Sequence, residues 1–479
     1  MSECIDKSDN KIRANNSNNL EEIIETVITK KKQLQTVKET FLEWSSRNDT
    51  NSYRKIFDYK ENILAQILWL LIFLVLISLT VLLIQMNIRD YLTYAVVTTY
   101  EVIYESPTEF PTLTICASSP FLSNQAIDLL QESAFNNSLD ILSNLTDVIK
   151  LAKMFAANPE YGDENRKLLG LSIDNIVSCQ FNNKDCKEDL HWIWLFDYGN
   201  CFQFNAGRNY LNRNIDLAKS SRTEPSYGLN LVIDFYFMNN IWVNNNQMIH
   251  IQTYDFVALV HNSSNRISSS TSFIFLDSFK KRSILSVERT FIYKQAWPYS
   301  DCIDMSSYSS DYYNFLLHSN YSYRQLDCLD LCIQQEIMNE CKCYDLRYPK
   351  LNNQTKPCLN LTEYNCAEIE INNFDSSACI RDSCPLECNS QKFVLESSTG
   401  NPYSKPFQVD TLNPQYLSVL NVFYRNLEYT VVAESPQTTF IELLTELGGS
   451  MGMFISFSVF TLFETIEICI LIIYKVFHA

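Results

Sequence analysis

From Ile63 to Ile84 the sequence runs ILAQILWLLIFLVLISLTVLLI. The stretch holds no charged residue, and only Gln66, Ser78 and Thr80 are polar. Coiled as a helix at about 1.5 Å per residue, it reaches roughly 30 Å, the depth of a hydrocarbon core. A buried helix of a soluble protein is the weaker alternative. The stretch lies behind too much polar sequence to be the apolar part of a cleaved signal peptide. Arg47, Arg54, Lys55 and Lys60 precede it and only Arg89 closely follows, which predicts a cytosolic N-terminal side.

A second apolar segment extends from about Gly448 to Tyr474 and is followed by Lys475. Two crossings would return the chain to the cytosol and leave the residues between them outside the cell. The expected divisions are a cytosolic segment 1–62, a first transmembrane helix 63–86, an extracellular domain 87–440, a second, pore-lining transmembrane helix 441–474 and a short cytosolic tail 475–479. Both termini are then cytosolic, in a multi-pass protein of the plasma membrane.

The cysteines test this topology independently. Of the 16 in the chain, all but Cys4 and Cys469 fall between Cys116 and Cys388, inside the extracellular stretch. An even set in an oxidising compartment reads as a disulfide framework. Zinc is the competing reading for Cys341-Lys342-Cys343, but thiolate sites are rare outside the cell, so no metal and no cofactor is expected. Glycosylation sequons at Asn136, Asn144, Asn262, Asn320, Asn353 and Asn360 suit the same surface. The formal net charge of −17 argues against a nucleic-acid partner. It fits either an ordinary solvated surface or an acidic vestibule that collects cations. The histidines (His191, His250, His261, His318 and His478) form no triad or metal motif, which disfavours an ectoenzyme.

Between the two segments the pattern is mixed. Tyr91–Tyr104, Gly228–Phe237 and Leu417–Thr430 are rich in β-branched and aromatic residues and predict strands. Helical spacing recurs near Gln125–Phe155 and Tyr323–Met338, and within residues 20–40 before the first segment. The fold class is therefore a membrane protein with two transmembrane helices flanking a large, disulfide-rich, mixed α+β extracellular domain.

The first segment is uniformly oily, but the second is not. It contains Gly448, Gly449, Gly452, Ser456, Ser458, Thr461, Glu464 and Glu467. A carboxylate inside a span costs roughly 2–3 kcal/mol and normally faces protein or water. Small residues let helices approach closely, and hydroxyls can offer oxygens to a cation. Helix packing explains the glycines but not the whole set, so a pore lining is preferred. One helix cannot enclose a pore, and several copies must assemble. Gly448-Gly449-Ser450-Met451-Gly452 also fits the G-x-S-x-G nucleophile elbow of hydrolases. A membrane helix supplies neither the strand-turn-helix setting nor the partners that motif needs.

Leu447 to Ser458 (LGGSMGMFISFS) resembles the pore signature of the degenerin/epithelial sodium channel/acid-sensing ion channel family, whose core is G-G-x-x-G-L-F followed by a G-x-S filter. Phe110-Pro111-Thr112-Leu113-Thr114-Ile115-Cys116 resembles its F-P-x-x-T-x-C, and Tyr198 to Asn205 (YGNCFQFN) resembles its Y-G-x-C-x-x-F-N. The spacing of Cys328, Cys332, Cys341 and Cys343 is similar to its cysteine-rich segment. The resemblance implies a homo- or heterotrimer of homologous subunits with hand-like architecture and an amiloride-sensitive, Na+-conducting pore. It implies a selectivity filter at Ser456, Phe457 and Ser458, with a pore signature at Gly448, Gly449, Gly452 and Met453. Pore carboxylates would be Glu446, Glu464 and Glu467, the first a possible Ca2+ site at the mouth, and Thr445 would be the gating position, with helix capping as its plainer role. It also implies disulfides joining Cys116 to Cys201, Cys179 to Cys186, Cys302 to Cys388, Cys328 to Cys384, Cys332 to Cys379, Cys341 to Cys366 and Cys343 to Cys358.

Two departures bear on function. Ser456 stands where the family carries glycine and is followed by the bulky Phe457, and the family's His-Gly pair is missing from Phe41–Phe57. Both suit a heteromer. Ala95 and Val96 occupy positions where acid-sensing relatives carry histidines, and Arg425 and Thr430 replace two carboxylates. Proton gating is therefore disfavoured. The expected stimulus is an extracellular ligand, a short neuropeptide of the family's peptide-gated branch. The alternatives are a proton-gated, constitutive or mechanically gated channel of the same family, an ATP-gated type with the same two-crossing plan, and a non-conducting two-pass surface receptor.

Overall fold

The computed structural model describes residues 35, 37, 39–40, 63–141, 143–234, 242–243, 247–248, 255–268, 271–277, 281–400, 417–456 and 458–478. Cys4, the missing His-Gly region, most of residues 20–40 and Phe457 lie outside the described residues. The chain divides into two compact units, Met1–Ala95 with Pro436–Ala479, and Val96–Ser435.

The larger unit opens with strands β1 (Val96–Tyr104) and β2 (Thr112–Ala117), then helices α1 (Asn124–Asn136) and α2 (Leu145–Ala157). Strands β3 (Ile176–Phe181), β4 (His191–Leu195), β5 (Gly199–Phe204), β6 (Leu229–Asp234), β7 (Asp255–His261), β8 (Ser272–Asp277) and β9 (Arg282–Tyr293) follow. Helices α3 (Asp311–His318), α4 (Gln325–Cys341), α5 (Leu361–Asn373) and α6 (Ser376–Asp382) come next, and the long strands β10 (Asn389–Gly400) and β11 (Leu417–Pro436) close the unit. One sheet runs β10–β9–β11–β6–β3, with β1 also paired to β11; the other runs β8–β7–β2–β5–β4. β9 and β11 are parallel, and their register shifts between Val287 and Arg289.

Alternation along the strands builds the core. Leu113 and Ile115 of β2, Phe202 of β5 and Phe256 of β7 meet Leu231 of β6 and Val422 of β11 in one buried cluster. Each such side chain contributes about 1.5–3 kcal/mol on burial. Cys116 falls on the opposite face of β2, beside Cys201 and Val257. The Phe110–Cys116 and Tyr198–Asn205 motifs become neighbours here, since β2 pairs with β5 so that Leu113 faces Phe204 and Cys116 faces Cys201. Asn205 locks the join, donating to the Phe110 carbonyl and accepting from the Ala218 amide at 2.6 Å. Gly199 has a φ of 74°, and a Cβ there would sit 2.6 Å from Pro120 Cα, so the second residue of the Tyr-Gly-Asn-Cys motif has to be glycine.

Seven disulfides staple the unit, and they join the cysteines in the pairs that the resemblance implies: Cys116–Cys201, Cys179–Cys186, Cys302–Cys388, Cys328–Cys384, Cys332–Cys379, Cys341–Cys366 and Cys343–Cys358. Cys341 and Cys343 reach different partners because Lys342 between them ends α4 in a left-handed conformation, with a φ of 58°. Bonded sulfurs leave no thiolate for zinc at this pair.

In the smaller unit one helix spans Ile63–Leu92, running past the expected boundary at 86. The strand expected from Tyr91 starts only at Val96, because Tyr91 and Leu92 continue the helix and Tyr94, at a φ of 51°, breaks it. This helix is long and apolar enough to cross a bilayer. The second segment differs from the single helix expected over 441–474. It consists of two helices, Phe440–Ile455 (outer in the expected topology) and Val459–His478 (inner in that topology), bent by 72° across the break. Ser456 adopts a left-handed φ of 54° that an unbroken helix cannot accommodate.

Candidate functional site

The outer helix starts where the sequence places a Thr-x-x-Glu capping box. Thr439 Oγ1 accepts from the Glu442 amide at 3.2 Å, and Glu442 Oε2 accepts from the Thr439 amide at 2.7 Å. Thr439 is therefore the cap, and Thr445, for which capping was the plainer expectation, lies in the second turn. Its hydroxyl donates to the Ile441 carbonyl at 2.9 Å and its surface is exposed. Glu446, also exposed, lines a hollow of 830 Å³ together with Asp90 of the first helix, Gly449, Ser450 and Met453. Gly448 and Gly449 are exposed, and a Cβ added to either would meet nothing within 4 Å. Packing among the described residues of this chain does not require them.

The break is encoded by its serines. The Ser456 amide donates to the Met451 carbonyl, closing the outer helix. Two residues on, Ser458 opens the inner one: its amide donates to Thr461 Oγ1 at 3.1 Å, and the Thr461 amide donates back to Ser458 Oγ at 3.3 Å. The two hydroxyls also hydrogen-bond each other at 3.1 Å, so the Ser458 hydroxyl expected to face cations is engaged in capping. Breaking the ladder also leaves carbonyls of the last outer turn without helical partners. Glu464 is half-buried and Glu467 exposed on the inner helix, where Thr461 and Ile468 are buried.

In the larger unit, β1 carries Glu101, and β11 carries Arg425, Glu428 and Glu434. Arg425 of β11 pairs with Glu396 at 2.8 Å and Glu288 at 3.4 Å. A junction that sequence reading missed ties β1 to the sheet. Arg289 of β9 donates to Glu105, just past β1, and to Thr108 Oγ1 at 2.8 Å. Its guanidinium lies over the rings of Phe291 and Tyr429 at 5.1 and 5.0 Å, and the Glu105 amide donates to the Leu427 carbonyl of β11. Burial pushes the Glu105 carboxyl up, but hydrogen bonds from Thr108 and Arg289 and the Arg289 charge outweigh it and hold the group below the usual range.

His261, at the end of β7, is buried between Thr114 Oγ1 and the Asn262 carbonyl, each at 2.9 Å. Burial pushes its imidazole down to about 4, so it stays neutral in mild acid. Burial also lowers His191. Of the sequon asparagines, Asn136, Asn320, Asn353 and Asn360 are exposed, whereas Asn144 and Asn262 are half-buried and Asn262 Nδ2 donates to Gln391 at 2.7 Å.

The family model for amiloride-sensitive sodium channels matches residues 45–468. The chain belongs to that family. Its members are ion channels and not enzymes, which settles the G-x-S-x-G match as coincidence. The mouse bile acid-sensitive ion channel is 24% identical over 438 residues, covering 85% of this chain and 83% of that one. Its human counterpart is 22% identical, covering 86% of this chain and 83% of its own. Degenerin del-1 of Caenorhabditis elegans is 23% identical over 72% of this chain, which spans about half, 51%, of that longer protein. For a member of the amiloride-sensitive sodium channel family, the Ser456–Ser458 break falls within the segment that resembles the pore signature.

Proposed function

We propose that the chain is one subunit of a trimeric, amiloride-sensitive sodium channel of the plasma membrane, opened by an extracellular ligand and assembled with homologous subunits. The observation that carries this reading is the helix break at Ser456–Ser458. At membrane depth, non-helical backbone is tolerated only where it is buried in protein or lines water. Here the break is flanked by exposed glycines on one side and by Glu464 and Glu467 on the other. Close approach of neighbouring subunits gives the glycines their use, and a water-filled path gives the carboxylates theirs. Glu446 would then form a ring at the mouth, where Na+ collects and Ca2+ can bind. A non-conducting receptor predicts none of these features.

Ligand opening is preferred to proton opening. Burial holds His261 neutral in mild acid and lowers His191, and Arg425 is paired with carboxylates where an acid sensor would place an acid. A short cationic peptide suits the acidic surface. The bile acid in the name of the mouse relative supplies a second class, an amphipathic acid. Voltage clamp of cells expressing the chain, alone and with homologous subunits, tests the reading: inward sodium current that amiloride blocks supports it. Surface-expressed chains that pass no current under either ligand class in any combination would refute it.

A further inference from the structure

In the larger unit a cavity of 980 Å³ opens among β4, β5, the turn after α2, helix α3 and residues 346–349. Its apolar wall includes Ile193, Trp194, Phe196, Phe315, Tyr321 and Tyr348. Arg166, Arg208, Arg266 and Arg347 line it as well, against a single carboxylate, Asp163. That balance runs opposite to the chain as a whole, whose formal net charge is −17.

Three of the arginines are already held. Arg166 pairs with Asp163 at 2.6 Å, Arg266 with Asp330 at 2.6 Å, and Arg347 with Asp345 at 2.6 Å and with Glu368. Asp330, Asp345 and Glu368 stand behind the wall and do not line the cavity. Arg208 differs from the other three. It is exposed, its Nη1 donates to Asn212 Oδ1 at 3.2 Å, and among the described residues no carboxylate pairs with it.

We infer that this cavity binds a small extracellular amphipath with an anionic head, the head on Arg208 and the apolar body against the aromatic wall. The inference rests on the reading of the chain as a ligand-opened channel and names the ligand's class. A cavity of this volume lies within the roughly 300–1,000 Å³ range of small-molecule sites. Aromatic walls give large contact area, and an unpaired guanidinium gives a charge-assisted, two-pronged contact to a carboxylate or sulfonate. A cationic ligand would instead meet the uncompensated charge of Arg208.

The test is a binding titration of the full chain in lipid nanodiscs, with the empty-disc signal subtracted. The probes are deoxycholate, its uncharged methyl ester and an amidated cationic tetrapeptide. The acid is expected to bind saturably and about tenfold more tightly than the ester, the size of one charged hydrogen bond. Arg208→Ala removes that difference and Arg208→Lys restores part of it. Ala206→Trp, which fills the cavity, abolishes binding, while surface expression stays normal. Equal binding of acid and ester overturns the inference, as does acid binding indifferent to both variants or peptide binding that Ala206→Trp abolishes in its place. Acid binding without current supports the site and refutes ligand opening; acid-evoked current unchanged by these variants refutes the site and leaves ligand opening standing.

Discussion

Replacing Ser456 tests whether the break lies in the ion path. At a φ of 54° a residue with a side chain costs about 1–2 kcal/mol relative to the right-handed helix, whereas glycine adopts the conformation freely. In an unbroken helix glycine is in turn about 0.5 kcal/mol worse than serine. Ser456→Gly therefore shifts the balance toward the broken form by roughly 1.5–2.5 kcal/mol per chain, more than tenfold. Ser456→Val shifts it the other way, because a β-branched residue tolerates positive φ least. The assay is voltage clamp with sodium and potassium exchanged outside the cell, with surface density measured by biotinylation. Ser456→Gly is expected to keep or sharpen the preference for sodium, and Ser456→Val to lower it several-fold. Ser456→Val channels with wild-type selectivity at equal surface density would refute the reasoning, since the left-handed break would then play no part in permeation.

Three further outcomes are expected. Glu446→Gln should lower single-channel sodium conductance at low salt or weaken external calcium block, because the carboxylate at the mouth is lost; unchanged currents would remove Glu446 from the pathway. Thr445→Val, or a larger side chain at this exposed second-turn position, should give constitutive amiloride-sensitive current, and silent mutants at the surface would show that bulk there does not hold the pore open. Because the His261 pKa is lowered from 6.5 to about 4, the unfolded chain takes up the proton first. Stability is then complete above about pH 6.5 and falls as the pH drops toward 4, by about 3 kcal/mol. Thermal unfolding should show that loss in the wild type and not in His261→Gln; parallel pH profiles would contradict it.

Much of this fold was legible because it rests on local chemistry. The oily run from Ile63 announces its helix, and the β-branched and aromatic runs at Gly228–Phe237 and Leu417–Thr430 announce the strands Leu229–Asp234 and Leu417–Pro436. The cysteine pairing came through family resemblance, since spacing alone cannot choose among connectivities. The break was visible only as an oddity, a serine where relatives carry glycine; its cause is a backbone angle that composition does not report. The Arg289–Glu105 junction and the Arg208 cavity were hidden for a different reason. Their residues lie far apart in the chain, and no periodicity or motif links Glu105 to Arg289 or Arg208 to Phe315. Only the packing of strands and helices brings them together.

The most direct measurement is of the current itself. Cells expressing the chain with a homologous subunit should carry, on addition of extracellular ligand, an inward current that reverses near the sodium equilibrium potential and disappears in amiloride. Glu446→Gln and Ser456→Val should change its conductance or selectivity without changing surface density. A current that ignores the sodium gradient, or one that both substitutions leave untouched, would contradict a sodium pore formed by this segment.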